Sequence, residues 1–127
     1  MKIQLPDIQS NNLLMKSKPV HVFLPREHTF TYIIYVDDKK IGTLDFYTKD
    51  KTLKEFEIGY EIDKEYRHKG YITTCIHLVC NRFKNSTIYA KCYTNNTYSI
   101  KALKRNGFIK VDTISNVITL KRIKQDQ

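Results

Sequence analysis

The apolar residues of this chain change period once, and that change limits the folds open to it. Residues 29–62 alternate in short runs between polar turns, whereas residues 70–85 repeat at helical spacing. Residues 29–36 (TFTYIIYV) are aromatic and β-branched, the types that pack well on a pleated surface, and read as a strand. Asp37-Asp38-Lys39-Lys40 supplies a turn, and residues 40–48 (KIGTLDFYT) return as its hairpin partner. A second polar turn at residues 49–54 leads to residues 56–62 (FEIGYEI), the third strand of a meander. In residues 70–85 (GYITTCIHLVCNRFKN), Ile72, Cys75, Ile76, Val79, Cys80 and Phe83 fall on one stripe of an amphipathic helix. Residues 87–93 (TIYAKCY) read as a strand, which after an intervening helix returns parallel to its predecessor. A second helix is signalled by Asn96 as N-cap, Ile100 and Leu103 as core positions and Gly107 as the stop. Residues 108–111 and 117–123 close the chain as two strands.

Upstream, Val20-His21-Val22-Phe23-Leu24 reads as a strand ended by Pro25, and residues 1–17 read as a loosely held arm or a short helix. The expected fold is α+β: one domain over residues 1–127, with two main helices and a mixed sheet of about six or seven strands. The core order is β-β-β-α-β-α-β-β.

At 41% hydrophobic residues with four Gly and three Pro, the chain is not disordered, collagen-like or a linker. No apolar run approaches the ~18 residues a membrane helix needs. Residues 1–10 lack the apolar core of a signal peptide, so a soluble cytoplasmic domain with no membrane partner is expected. Cys75, Cys80 and Cys92 are odd in number and lack paired zinc or redox spacing, so free thiols and no metal are expected. Cys75 and Cys80 lie on the apolar stripe, where core packing outweighs a nucleophilic role.

Charge is distributed unevenly. Residues 1–65 carry 10 basic and 11 acidic side chains, net −1, whereas residues 66–127 carry 12 basic ones against Asp112 and Asp126, net +10. A one-sided excess points to an anionic partner held by the second half, and phosphates are the commonest such anions. The segment DKEYRHKGYIT, residues 63–73, joins a strand to a helix and has the physics of an anion cradle. The first N–H groups of a helix are unpaired and lie at the positive end of its dipole. Gly70 offers no Cβ to hinder a phosphate, and Arg67 and Lys69 add charge.

Residues 58–71 (IGYEIDKEYRHKGY) are similar to the strand and Q/R-x-x-G-x-G/A pyrophosphate loop of the GNAT superfamily of acyl-CoA-dependent N-acetyltransferases. Asn95-Asn96-Thr97-Tyr98-Ser99 with Asn106-Gly107-Phe108 resembles the family's N-x-x-S…G-F segment. The nearest branch resembles the ribosomal-protein and other N-terminal or small-molecule amine acetyltransferases. The resemblance implies transfer of acetyl from acetyl-CoA to a primary amine in a ternary complex. Arg67, His68, Lys69, Gly70, Tyr71 and Ile72 would wrap the coenzyme pyrophosphate. The strand carrying Tyr60, Glu61 and Ile62 would bulge, splay from its neighbour and receive the pantetheine and thioester carbonyl. A backbone N–H there would stabilise the developing oxyanion. Gly59 suits a bulge or a close backbone approach. Asn96 and Ser99 would hydrogen-bond the coenzyme.

The acceptor must attack as a neutral amine, so a base is needed, and Glu57 stands where many members carry a carboxylate. Glu57 and Glu61 share a side of a regular strand, though a bulge at Gly59 would break that parity; both also suit plain solvated strand positions. His68 and His77 equally suit solvated positions.

Three features depart from the family pattern. Ile72 replaces the usual Gly or Ala, which bears on coenzyme affinity. Leu103 replaces the tyrosine that protonates the leaving thiolate in many members, and Tyr98 stands elsewhere on the same helix. About thirty residues precede the Thr29 strand without the family's usual helical pair. The acceptor side is therefore expected to be truncated, open or completed by another subunit in a homodimer. A catalytically weak regulatory module or a basic nucleic-acid binder is the competing reading, supported by the same charge and by basic–aromatic interleaving, but no nucleic-acid-reading motif accompanies it.

Overall fold

The computed structural model describes residues 2–21, 28–48 and 52–123. In chain order these form β1 (Lys2–Ile3), β2 (Ile8–Ser10), β3 (Leu13–Lys18), β4 (Val20–His21), β5 (His28–Val36), β6 (Lys39–Thr48) and β7 (Glu55–Ile62). Helix α1 (Tyr71–Arg82), β8 (Thr87–Tyr93), α2 (Thr97–Arg105), β9 (Ile109–Ile114) and β10 (Val117–Arg122) follow. β1 and β4 pair only with each other, and the other eight strands form one sheet in the order β2-β3-β5-β6-β7-β8-β10-β9. Every neighbouring pair in it is antiparallel except β7 and β8, which the α1 crossover makes parallel.

From residue 28 onward the element order is the one the periodicity predicts, in a mixed α+β domain. Upstream, the expected arm or short helix is instead a hairpin. Leu13, Met15 and Ser17 are buried while Lys16 and Lys18 are exposed, a period of two, and β3 pairs with β5 from Leu13↔Val36 to Lys18↔Thr31. This hairpin raises the strand count of the main sheet to eight. Val22, Phe23 and Leu24 of the expected early strand, and Lys49, Asp50 and Lys51 of the second turn, lie outside the described residues. The first turn is tighter than expected. Asp37 (φ 50°) and Asp38 (φ 65°) make it alone, with both central residues in the left-handed region that matches strand twist in a two-residue hairpin.

Burial assigns the two sheet faces. Phe30, Tyr32, Ile34, Leu44, Phe46, Phe56, Ile58, Ile88, Ala90 and Leu120 are buried and share one face by register. The apolar stripe of α1, from Ile72 to Cys80, joins that core, and Phe83 packs edge-on against the stacked rings of Phe46 and Phe56. Helix α2 lies beside α1 on the same face: the Asn106 amide donates to Thr73 O at 3.2 Å. It buries Ser99, Ala102 and Leu103, whereas Ile100, an expected core residue, is only half-buried, so the helix is turned slightly from its predicted face. The opposite sheet face, with Thr31, Thr43, Asp45, Glu57, Glu61, Tyr89 and Lys91, stays partly or fully exposed.

Candidate functional site

The parallel pairing of β7 and β8 stops early. It runs from Glu55↔Thr87 to Ile58↔Ala90, while β7 continues to Ile62 and β8 to Tyr93 without pairing. The two strands therefore splay beyond Ile58, and at the split lies a cavity of about 470 Å³. Its walls come from three places. The end of β7 gives Tyr60, Glu61 and Ile62; the loop and first turn of α1 give Tyr66, Arg67, His68, Tyr71 and Ile72; the start of α2 gives residues 95–99.

Gly70 is the N-cap of α1 with φ +85°, a conformation that favours glycine, and it contributes no side-chain cap; no acidic residue occupies the first turn. The N-cap residue itself therefore offers no side-chain acceptor to the N–H groups of the first turn of α1, as an anion site requires. A Cβ at Gly70 would meet nothing within 4 Å, so the glycine is there for its backbone angle and not to clear space within the fold. Arg67 Nε donates to Ile62 O at 2.7 Å, fastening the loop to the strand end. His68, itself at φ 63°, sets its ring 4.4 Å from that of Tyr98. Lys69 turns away, its Nζ 5.7 Å over the Tyr66 ring, with Lys39 at 5.6 Å from the same ring.

Helix α2 closes the other side. Asn96 caps it, accepting from Ser99 N at 3.2 Å, as the sequence predicts. Gly70 N donates to Tyr98 Oη at 3.2 Å, which joins the two helix starts. Tyr60 Oη and Ser99 Oγ share a short hydrogen bond. Burial pushes the Tyr60 hydroxyl up to about 12, partly offset by Ser99, so it stays protonated. Burial also raises the nearby Cys92 thiol, against a hydrogen bond from Ser99.

The cavity thus brings together nine of the expected site residues: Tyr60, Glu61, Ile62, Arg67, His68, Tyr71, Ile72, Asn96 and Ser99. Lys69 and Gly70 do not line it. Glu57 lies outside it on the bare face of β7, its carboxylate 3.8 Å from Lys91 Nζ. The expected bulge at Gly59 is absent: β6 and β7 keep unbroken register from Gly42↔Ile62 to Tyr47↔Glu57. Gly59 instead admits Tyr47, whose ring would stand 3.1 Å from an added Cβ. Unbroken register leaves Glu57 and Glu61 on the same side. Tyr66, Asn95, Thr97 and Tyr98 also line the cavity and are not among the sequence-selected residues. Among them, Tyr98 stands inside the N-x-x-S segment, but its bond to Gly70, 28 positions away, is not legible there. Leu103 is fully buried and cannot reach the cavity.

A strand split between parallel neighbours, with one helix start beside it and a second facing it, frames the cavity. A family model described as an acetyltransferase (GNAT) domain matches residues 7–109, and the chain belongs to that family. The ribosomal-protein-serine acetyltransferase of Escherichia coli (strain K12) is 27% identical over 107 residues, which cover 80% of this chain and 60% of that protein. The chain therefore spans about three fifths of that relative's length. Among solved structures, the ribosomal L7/L12 alpha-N-protein acetyltransferase RimL, in an apo crystal form, matches with a TM-score of 0.67 at 18% identity, covering 78% of this chain and 72% of that one. The microcin C7 self-immunity acetyltransferase MccE, in complex with acetyl-CoA and AMP, matches at 0.62 and 20% identity over 75% of this chain and 61% of that one. At these identities the structural matches establish the fold. Among the described residues, no helix is long and apolar enough to cross a membrane, and no His, Cys, Asp and Glu side chains gather into a metal-binding group.

Proposed function

We propose that this chain transfers an acetyl group from acetyl-CoA to a primary amine, with both substrates bound together and no covalent enzyme intermediate. The observation that carries the reading is the cavity at the β7–β8 split, bounded by a helix start with no side-chain cap. The residues present fit the donor: unpaired amides and Arg67 suit a pyrophosphate, and the unpaired edge of β7 at residues 59–62 suits an amide-bearing chain. Arg67, His68, Tyr71 and Ile72 would hold the pyrophosphate, with Gly70 setting the turn that presents them; Tyr60, Glu61 and Ile62 would hold the pantetheine; Asn96 and Ser99 would bond from α2. Acetyl-CoA supplies the activated acyl carbon and a thiol leaving group, whose ordinary pKa near ~8.5 makes departure easy.

The chain's own residues divide the remaining work. Tyr98 accepts the Gly70 N–H and so keeps its own hydroxyl hydrogen for the cavity. The Tyr60–Ser99 pair holds a second protonated hydroxyl at the strand split. Ser99, buried and capped by Asn96, is fixed in position before any ligand arrives. On the bare face, Glu57 would take the proton of the incoming amine, directly or through water.

The exposed face and the names of the relatives support an acceptor amine on a peptide N-terminus or a small molecule, approaching from the side the helices leave uncovered. The test is thiol release from acetyl-CoA by the purified chain, with N-terminal peptides and small primary amines offered as acceptors. Release stimulated by an amine, with a matching 42-Da gain on that amine (the mass of one transferred acetyl group, about the replacement of H by COCH₃), supports the reading. Release no faster with any amine than with water contradicts it.

A further inference from the structure

The β7–β8 split is closed near its vertex by side chains. The last parallel pair, Ile58↔Ala90, is buried on the helix-covered face, and neither residue lines the cavity. Two residues further along β7, about 7 Å, Tyr60 occupies the same face, opposite buried Leu44 of β6. Its side chain is half-buried and packs on the core. Tyr60 Oη and Ser99 Oγ share a hydrogen bond, and Ser99 also bonds the Cys92 thiol, two residues beyond Ala90 on β8. Three linked side chains thus run from β7 through the start of α2 to β8, across the opening.

With the cavity holding the donor as proposed above, the direction of the ligand follows. The segment assigned to the pyrophosphate comes after the far end of β7, and Arg67 Nε is fastened to Ile62 O at 2.7 Å. A donor held there, with its pantetheine along the unpaired residues 59–62 of β7, runs back toward Ile58. Its acyl group is then the part that reaches Tyr60. The ring does not yield easily. Ser99 is buried, and its backbone N–H is held by the Asn96 side chain at 3.2 Å. Pushing the ring aside breaks the Tyr60–Ser99 bond and strands hydroxyls away from water, where an unmade hydrogen bond is most costly.

We propose that the Tyr60 ring, tethered to Ser99, is the end wall of the acyl site and restricts the donor to acetyl-CoA, excluding butyryl and longer chains. This role rests on the cavity being the donor site, and adds to it the residue that sets acyl length. A closed end wall discriminates because added methylenes must displace packed atoms, whereas an open cleft accepts them at little cost.

Free CoA, acetyl-CoA and butyryl-CoA are titrated calorimetrically into the full chain without an acceptor amine. The parent should bind acetyl-CoA at least about tenfold more tightly than butyryl-CoA, the scale on which closed pockets resolve added methylenes. Tyr60→Leu, which shortens the wall, should abolish most of that preference, whatever it does to both affinities. Tyr60→Phe keeps the ring but removes the tether, and should lower the preference by several-fold; it decides the matter if Tyr60→Leu does not fold. A loss of packing alone would weaken every ligand together and leave the ratio where it was, which overturns the proposal. Equal binding of acetyl-CoA and butyryl-CoA by the parent overturns it as well, and leaves the donor site standing. No saturation by free CoA or by either thioester removes the donor site itself, and the end wall with it.

Discussion

On one face of the sheet two helices lie over a continuous apolar core; on the other, tyrosines, threonines and carboxylates stand in the open. The covered face carries the β7–β8 cavity with most of its hydrogen bonds already made: Asn96 to Ser99, Ser99 to Tyr60, Gly70 to Tyr98, Arg67 to Ile62. The bare face carries Glu57, paired with Lys91 in a half-exposed contact worth little by itself. The difference teaches that three short stretches of chain suffice to preorganise the cavity proposed for the donor, whereas the face proposed for the acceptor is left open. Preorganised groups cost less to order on binding, so the covered face should dominate donor affinity and the bare face turnover.

The largest effect should come from Gly70→Glu. A carboxylate placed at the start of α1, on a residue with φ +85°, should lower acetyl-CoA affinity by about a hundredfold or more. Gly70→Ala adds no clash and should cost only the backbone strain, about 1–2 kcal/mol in urea denaturation. If Gly70→Glu bound acetyl-CoA like the parent, the covered face would not be the donor site.

Glu57→Gln probes the other face. Turnover should fall by about 10- to 1000-fold with acetyl-CoA affinity unchanged, and the acidic limb of the pH–rate profile should change shape. An unaltered profile would remove Glu57 and turn attention to Glu61, which lies on the same side and lines the cavity.

Ser99→Ala removes the partner of the buried Tyr60 hydroxyl. It should cost about 1–3 kcal/mol of stability, while adding Tyr60→Phe should recover part of that loss, because no donor is then left unpaired. A strictly additive double variant would deny that the pair is coupled.

The smallest effect at neutral pH is on the pH dependence of stability. Burial pushes Tyr32, Tyr60 and Cys75 up to about 12 and Cys80 to about 11, from ordinary values of 10.0 for tyrosine and 9.0 for cysteine. Raised folded-state values mean the unfolded chain loses these protons first. Stability from these groups is thus complete below about pH 9 and is lost as pH rises toward 12. All four lie in the covered layer, so alkaline unfolding should release that layer. Denaturant midpoints measured at pH 7 and pH 10.5 check this, and equal values would contradict it.

The strand-to-helix switch at Gly70 and the parallel return of β8 were legible because each rests on local periodicity. The β2–β3 hairpin was not, because Leu13, Leu14 and Met15 read as an unpatterned apolar run until pairing with β5 decides which of them face inward. The half-buried Ile100 and the unbroken register at Gly59 were hidden for a related reason: the packing of Asn106 against Thr73 and of Tyr47 over Gly59 sets them. Within the site, the residues of the two motifs were readable, whereas Tyr98 enters through a bond to Gly70 that no local pattern announces. Lys69 shows the converse, a motif cation that sits over the Tyr66 ring and is not among the cavity's walls.

The most direct test of the account is calorimetric titration of the chain with acetyl-CoA, with ATP and a short RNA as anionic controls. The account predicts saturation at one equivalent of acetyl-CoA, abolished by Gly70→Glu and not reproduced by either control. Salt-sensitive RNA binding with no response to acetyl-CoA would contradict it, and would mean that the β7–β8 cavity is not a donor site.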